Sequence, residues 1–246
     1  MKNIITSGKP SYRMDDRNRL DKTARLSKEN GPFKGTYHVS PDIRYISDYT
    51  FEFSHELYQV ILNDGLISIG NDAFTCCGDL EKITIPESVT HIGERCFCEC
   101  HNLESAKLYN HIKNLPADIF GSCINLVDVI LPDSITKLER GCFEDCNYLE
   151  SIILPPNLKE IGFKCFTNCH SLTSIHLPTT LTKIDEKAFD GCIALKEITI
   201  PSGIKEISKR CFSYCSSLTS VRLPQGIVIE KNAFRDCNKI TFQLLN

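Results

Sequence analysis

Tryptophan is absent from this chain of 246 residues, and methionine occurs only twice. No uninterrupted apolar stretch approaches the roughly 18–20 residues that a membrane-spanning helix needs. The amino terminus, Met1 to Gly8, has no apolar run of the kind a secretory leader carries. These two absences set the expected location as cytoplasmic or cytoskeletal. Glycine-rich phosphate loops are missing too, because the 13 glycines are scattered singly through turn-like stretches. The seven histidines fall into no Cys-His or Ser-His-Asp arrangement. With no nucleophile–base pair and no phosphate cradle, we expect no enzyme, no cofactor and no small-molecule substrate. Without tryptophan there is little from which to build a base-stacking platform, so nucleic acid is not expected as a partner.

What the chain has in quantity is cysteine, 14 residues, and phenylalanine, 13 residues, and the two are linked in register. Phe74-x-x-Cys77 recurs at Phe97/Cys100, Phe120/Cys123, Phe143/Cys146, Phe166/Cys169, Phe189/Cys192 and Phe212/Cys215, each step being 23 residues. A degenerate copy precedes them at Phe51, with Ser54 in the cysteine slot, and a last copy at Phe234/Cys237 comes one residue early. A fixed period of this length is the signature of a stacked repeat, in which each unit packs only on its neighbours.

One unit reads Leu172-x-x-Ile175-x-Leu177-Pro178-x-x-Leu181-x-x-Ile184-x-x-x-x-Phe189-x-x-Cys192. Its first part is a short strand with Ile175 and Leu177 inward, while Ser174 and His176 point out. Pro178 ends the strand, because proline cannot donate to a ladder. Leu181 and Ile184 form a second inward side, and Lys187 to Phe189 close the coil as a helical or 3-10 turn. Stacked coils then bury a phenylalanine spine. Cysteines occupy the slot after Phe and, at Cys96, Cys142, Cys165 and Cys211, the slot before it, where Ala73, Ala188 and Ala233 also stand. A slot filled by Cys or Ala takes a small apolar side chain, so we read these as buried reduced thiols rather than a disulfide framework. Cys96-x-Cys98-x-Cys100-His101 has the look of a metal cluster, but Cys96 and Cys100 sit on core slots and no metal site is expected. Cys76 and Cys98, off the lattice, are expected to react first with alkylators.

The pattern L-x-x-I-x-[LI]-P-x-x-[LVI]-x-x-I-[GD]-x-x-[AC]-F-x-x-C, met slot for slot from Leu80 to Cys100, resembles the BspA-like subclass of leucine-rich repeats. The resemblance runs over about residues 39–246. It implies a right-handed solenoid of short parallel strands and short helical or 3-10 turns, about nine coils in all. It also implies the alternative function, a surface antigen or adhesin that binds host or matrix proteins. The coil around Ala106 and Tyr109 departs from the pattern, having lost its strand Ile and its Pro.

Charge divides the chain differently. Residues 1–40 hold 9 Lys and Arg against 4 Asp and Glu, a net of +5 on a chain whose total is −3. Residues 1–37 are therefore expected to be a basic extended arm, disordered unless bound, and 38–246 the solenoid. An acidic body repels phosphate, whereas the arm favours an acidic protein, and cytoskeletal polymers such as microtubules are one such class. Its candidate contacts are Tyr12, Arg13, Arg17 and Arg19. On the solenoid, the outward strand positions place Ile130 and Ile153 in an apolar centre ringed by Lys107, Asp128, Ser151 and His176. At the carboxyl end, Phe242 and Leu244 lie on an open strand edge expected to support self-association through the last coil. The function read from the sequence is a non-catalytic protein–protein interaction scaffold within a larger assembly.

Overall fold

The computed structural model describes residues 24–109 and 112–245. Its chain winds as a parallel-strand solenoid of about nine coils, one for each phenylalanine from Phe51 to Phe234. Alternating side chains of the Leu-x-x-Ile-x-Leu segments build the first side. Gly35–His38, Leu57–Ile61, Lys82–Ile85, Ser105–Leu108 and Asp128–Ile130 pair in parallel as five neighbouring strands. Glu197–Thr199, Ser220–Leu223 and Thr241–Leu244 continue that side as three more. Between the two groups, 151–154 and 174–177 make no backbone hydrogen bond, so the ladder lapses for two coils.

The second side is a row of two- to four-residue strands. Ala24–Leu26, Ile43–Ile46, Ser68–Ile69 and His91–Ile92 form one run, and Asn114–Leu115, Lys137–Leu138, Glu160–Ile161 and Lys183–Ile184 the next. Glu206–Ile207 with Val228–Ile229 completes it.

Phe74, Phe97, Phe120, Phe143, Phe166, Phe189 and Phe212 are fully buried, and successive rings lie 5.1–5.7 Å apart and within 21° of parallel. At such centroid distances near-parallel rings are offset-stacked, the arrangement that their quadrupoles favour.

The Phe side is not helical. Each Phe amide donates to the carbonyl of the pre-Phe slot in the following coil, as in Phe74 to Cys96 at 2.8 Å and Phe189 to Cys211 at 2.8 Å. A helix would need those amides within its own turn. The chain instead bends through residues in the left-handed region, two per coil, two positions before and two after Phe. Lys187 with φ 59° and Gly191 with φ 76° flank Phe189, and Arg95 and Glu99 flank Phe97 likewise. The single helical segment among the described residues is the 3-10 turn Lys28–Asn30.

The cysteine column does more than fill space. The thiol after each Phe donates to the carbonyl of the Phe in the preceding coil. These contacts measure 3.0 Å for Cys77 to Phe51, 3.2 Å for Cys146 to Phe120 and 3.2 Å for Cys215 to Phe189. A buried carbonyl with a second lone pair thereby gains a partner that Ala or Val could not supply. Ser54, in the degenerate copy, offers a hydroxyl at the same slot.

Residues 24–37 correct the expected arm boundary. They are part of the stack and close its first end. Leu26, Phe33 and Tyr37 are buried, Phe33 lies 4.3 Å from the Phe51 ring, and Tyr37 meets Phe33 and Phe51 edge-on at 4.9 and 5.6 Å. Leu26 pairs in register with Ile46. Ion pairs from Lys28 to Glu52 at 2.9 Å and Lys34 to Glu56 at 2.6 Å decorate this contact. Charge alone would not order the segment, since exposed pairs contribute about 0–1 kcal/mol. The uncovered end of the Phe column supplies the apolar surface that does.

Candidate functional site

The face formed by the outward residues of the first side is the candidate protein-binding surface. Parallel register fixes its layout. Gln59, Lys82, Ser105 and Asp128 make one row across four coils, and Thr84, Lys107 and Ile130 the row beside it. Lys107 and Ile130 are thus direct neighbours. Ile153 stands one repeat further at the slot of Ile130, within the stretch whose ladder lapses, and is 88% exposed against 39% for Ile130. Ser151, Asp128 and His176 are exposed around it, while Lys107 is half-buried. The sequence-predicted cluster therefore lies on one face, with Ile153 as its most prominent apolar side chain.

On either side of this isoleucine ridge, in coil order, lies a cleft. The first, about 620 Å³, is lined by Gln59, Ile61, Asp64, Lys82, Ser88 and Tyr109 among others. The Ser88 hydroxyl is buried there without a hydrogen-bond partner. The second, about 610 Å³, is bounded by Ser174, His176, Glu197, Thr199 and Arg222. Val127 and Tyr148, exposed beside the strand Asp128–Ile130, add apolar area around a third hollow with Glu104 and Glu150. Charges of both signs are interspersed over the face, with Asp64, Asp128 and Glu197 against Lys82, Lys107 and Arg222.

Sequence reasoning had not assembled the first cleft. Its signal was the irregular coil around Tyr109: an exposed tyrosine stands where the regular units carry the proline that closes their strand, as at Pro86 and Pro132. Val127 and Tyr148 were missed because each occupies a slot that is polar in neighbouring coils, such as Glu104 and Asn125.

The other predicted residues lie elsewhere. Tyr12, Arg13, Arg17 and Arg19 fall outside the described residues. Three of the nine basic residues of 1–40 are described, and each engages this chain: Lys28 and Lys34 in the ion pairs above, and Arg25 over the Tyr45 ring at 5.5 Å. At the other end, Phe242 and Leu244 continue the inward columns of Val221 and Leu223 but are 51% and 68% exposed, since no described residue packs over that coil.

Thiols need one correction. Cys98 is buried, although off the lattice, and burial pushes its pKa up to about 11. Cys76 is held at about 12 by burial and by the neighbouring Glu99 carboxylate, to which it donates at 3.5 Å. Cys98 is therefore closed to alkylators, whereas Cys76 keeps some exposed surface. Among the described residues no group of three His, Cys, Asp or Glu side chains converges as a metal site.

A comparison with family models matches the BspA type leucine rich repeat region, in six copies, over residues 36–150 and 140–245. The chain belongs to the BspA-type leucine-rich-repeat family. Solved structures similar to this BspA-type chain include the leucine rich repeat protein of T. pallidum, with 18% identity, 89% of this chain and 82% of that one covered, and a TM-score of 0.47. Another is a leucine rich cell surface protein from Faecalibacterium prausnitzii A2-165, with 20% identity, 97% and 94% covered, and a TM-score of 0.45. The pneumococcal vaccine antigen PcpA shares 19% identity over 96% of this chain and 72% of its own, with a TM-score of 0.45. No curated protein matches. Among the described residues of this BspA-type solenoid, no helix is long and apolar enough to cross a membrane.

Proposed function

We propose that this BspA-type solenoid is a non-catalytic scaffold that binds another protein across the face of its first side. The observation that carries the reading is Ile153, 88% exposed at the middle of a ridge with a cleft on each side. Leaving an isoleucine in water forgoes roughly 1.5–3 kcal/mol that burial against a partner would recover. An apolar centre with a mixed-charge rim fits a folded protein surface presenting an apolar knob beside hydrogen-bonding groups. Most of the cysteines fill core slots as small apolar side chains, a use that suits a reducing compartment and favours a scaffold inside the cell.

The test is a double variant, Ile130→Glu with Ile153→Glu, at two exposed side chains. Partners would be captured by proximity labelling with the wild-type chain, then measured as purified pairs. The double variant should lower affinity for a direct partner at least tenfold, about 1.4 kcal/mol, at unchanged thermal unfolding. A partner set and affinity indifferent to both substitutions would remove this face from the function.

A further inference from the structure

The two ends of the stack are finished differently. The first is closed by Leu26, Phe33 and Tyr37, and the Phe33 and Tyr37 rings cover that of Phe51. The last coil has apolar side chains in water. Phe242 stands edge-on to the Phe234 ring at 5.4 Å and is half-exposed, and Leu244 is more exposed still. Val228 and Ile229, in the second-side strand of the same coil, are exposed as well.

The strand Thr241–Leu244 is also an open edge. The amides of Thr241 and Leu245 donate to the Thr219 and Leu223 carbonyls of the coil beneath, each at 2.8 Å. Backbone groups alternate sides along a strand, so those of Phe242 and Leu244 point away from the stack. No strand among the described residues pairs with them. Native edges are commonly blunted by lysine or proline, whereas this one carries Thr, Phe, Gln and Leu. The exposed charges around it are of both signs, Lys231, Arg235 and Lys239 with Glu230 and Asp236. Two such ends can meet with opposite charges facing, which a uniformly charged end would forbid.

We propose that this end binds a second copy of the chain, by antiparallel pairing of the two Thr241–Leu244 strands about a two-fold axis at Gln243. In that register Phe242 of each copy lies opposite Leu244 of the other, and the two residues exchange hydrogen bonds through their outward amides and carbonyls. Opposed residues share a face, so both side chains stay on the core side and cover each other; a slip of one residue would turn them to solvent. The end is thus complementary to itself in hydrogen bonding, in side-chain face and in charge. Because residues 24–37 cap the first end, the contact is isologous and closes at two copies instead of growing a filament. The axis stands perpendicular to the sheet, so the two first-side faces point the same way. A single coil end buries less than the roughly 1,200 Å² of a standard interface, which places the dimer in the weak, reversible class.

Sedimentation velocity of the reduced 246-residue chain, from dilute to near-millimolar concentration, tests this. The mass should rise from 27.8 kDa towards twice that value. Phe242→Lys with Leu244→Lys should hold it at the monomer. Leu244→Pro removes one outward amide and spares the bonds of Thr241 and Leu245 to the stack; it should weaken association about tenfold at unchanged thermal unfolding. At the axis the two Gln243 Cα atoms lie roughly 4.5 Å apart, within disulfide range, so Gln243→Cys should oxidise to a dimer linked 243 to 243. Thr241→Cys, roughly 13 Å from its counterpart, should not. Ile130→Glu with Ile153→Glu should dimerise as the wild type does, which keeps this contact separate from the first-side face. A mass held at 27.8 kDa at every concentration would leave the end to a different protein and overturn the proposal. Association that survives the two lysines, or equal cross-linking at 241 and 243, would overturn it too.

Discussion

Removing one ring from the middle of the phenylalanine spine should damage this molecule more than removing the ring at its end. Phe143 is fully buried, stacked on Phe120 at 5.7 Å and on Phe166 at 5.3 Å. Phe143→Ala loses the transfer energy of the ring and leaves a cavity between two rigid coils, about 3–5 kcal/mol together. That total includes the stacked contacts on its two faces, about 0.5–1.5 kcal/mol each. Phe234 is only partly buried, with one stacked neighbour, Phe212 at 5.3 Å, and an edge contact to Phe242 at 5.4 Å. Phe234→Ala should cost about 1–2 kcal/mol, since less area returns to water and the site can collapse. Guanidinium unfolding of both variants and of Phe143→Leu measures the difference, and hydrogen exchange locates it. Stability in a stacked array is close to a sum of coil and interface contributions. Phe143→Ala should therefore release protection on both sides of the vacated ring, and Phe234→Ala only at the last coils. Equal losses for the two variants, or a larger loss for Phe234→Ala, would refute the account of the spine as the main coupling between coils.

Backbone strain and pH give two further tests. Ser122 holds φ 57° at the position two after Phe120; Ser122→Gly should raise stability by up to about 1 kcal/mol and Ser122→Val should lower it by more than that, as chemical unfolding would show. The reverse order would contradict the left-handed turn. Buried thiols such as Cys96, Cys146, Cys169 and Cys192 have pKa values raised far above normal by desolvation. The unfolded chain ionises them near pH 8.5 while the folded chain keeps them protonated, so stability is intact below that pH and falls as pH rises, by about 1.4 kcal/mol per pH unit for each such thiol. Unfolding midpoints in reductant that stay level from pH 7 to 10 would show that these thiols are not buried.

The repeat itself was fully legible in the sequence, for a physical reason. A stack of identical coils imposes the same environment at every 23rd residue, so Phe, Cys, Leu and Ile recur where each coil must meet the next. The inward columns, the parallel strands and the burial of the spine follow from that period alone. Register placed Lys107, Asp128 and Ile130 on one face, and the repeat slot alone sets Ser151, Ile153 and His176 beside them. Features that depend on how coils touch were not legible. Left-handed slots accept Arg95, Lys187 and Tyr214 as well as glycine, because backbone bonds between coils hold them there whatever their side chains prefer. The cysteine after Phe looked like a space-filler until the Phe carbonyl appeared within reach of its thiol. Residues 24–37 looked like a polar arm because their few apolar side chains are not periodic. Only the three-dimensional stack reveals an exposed end of the Phe column, and that end is what Leu26, Phe33 and Tyr37 cover.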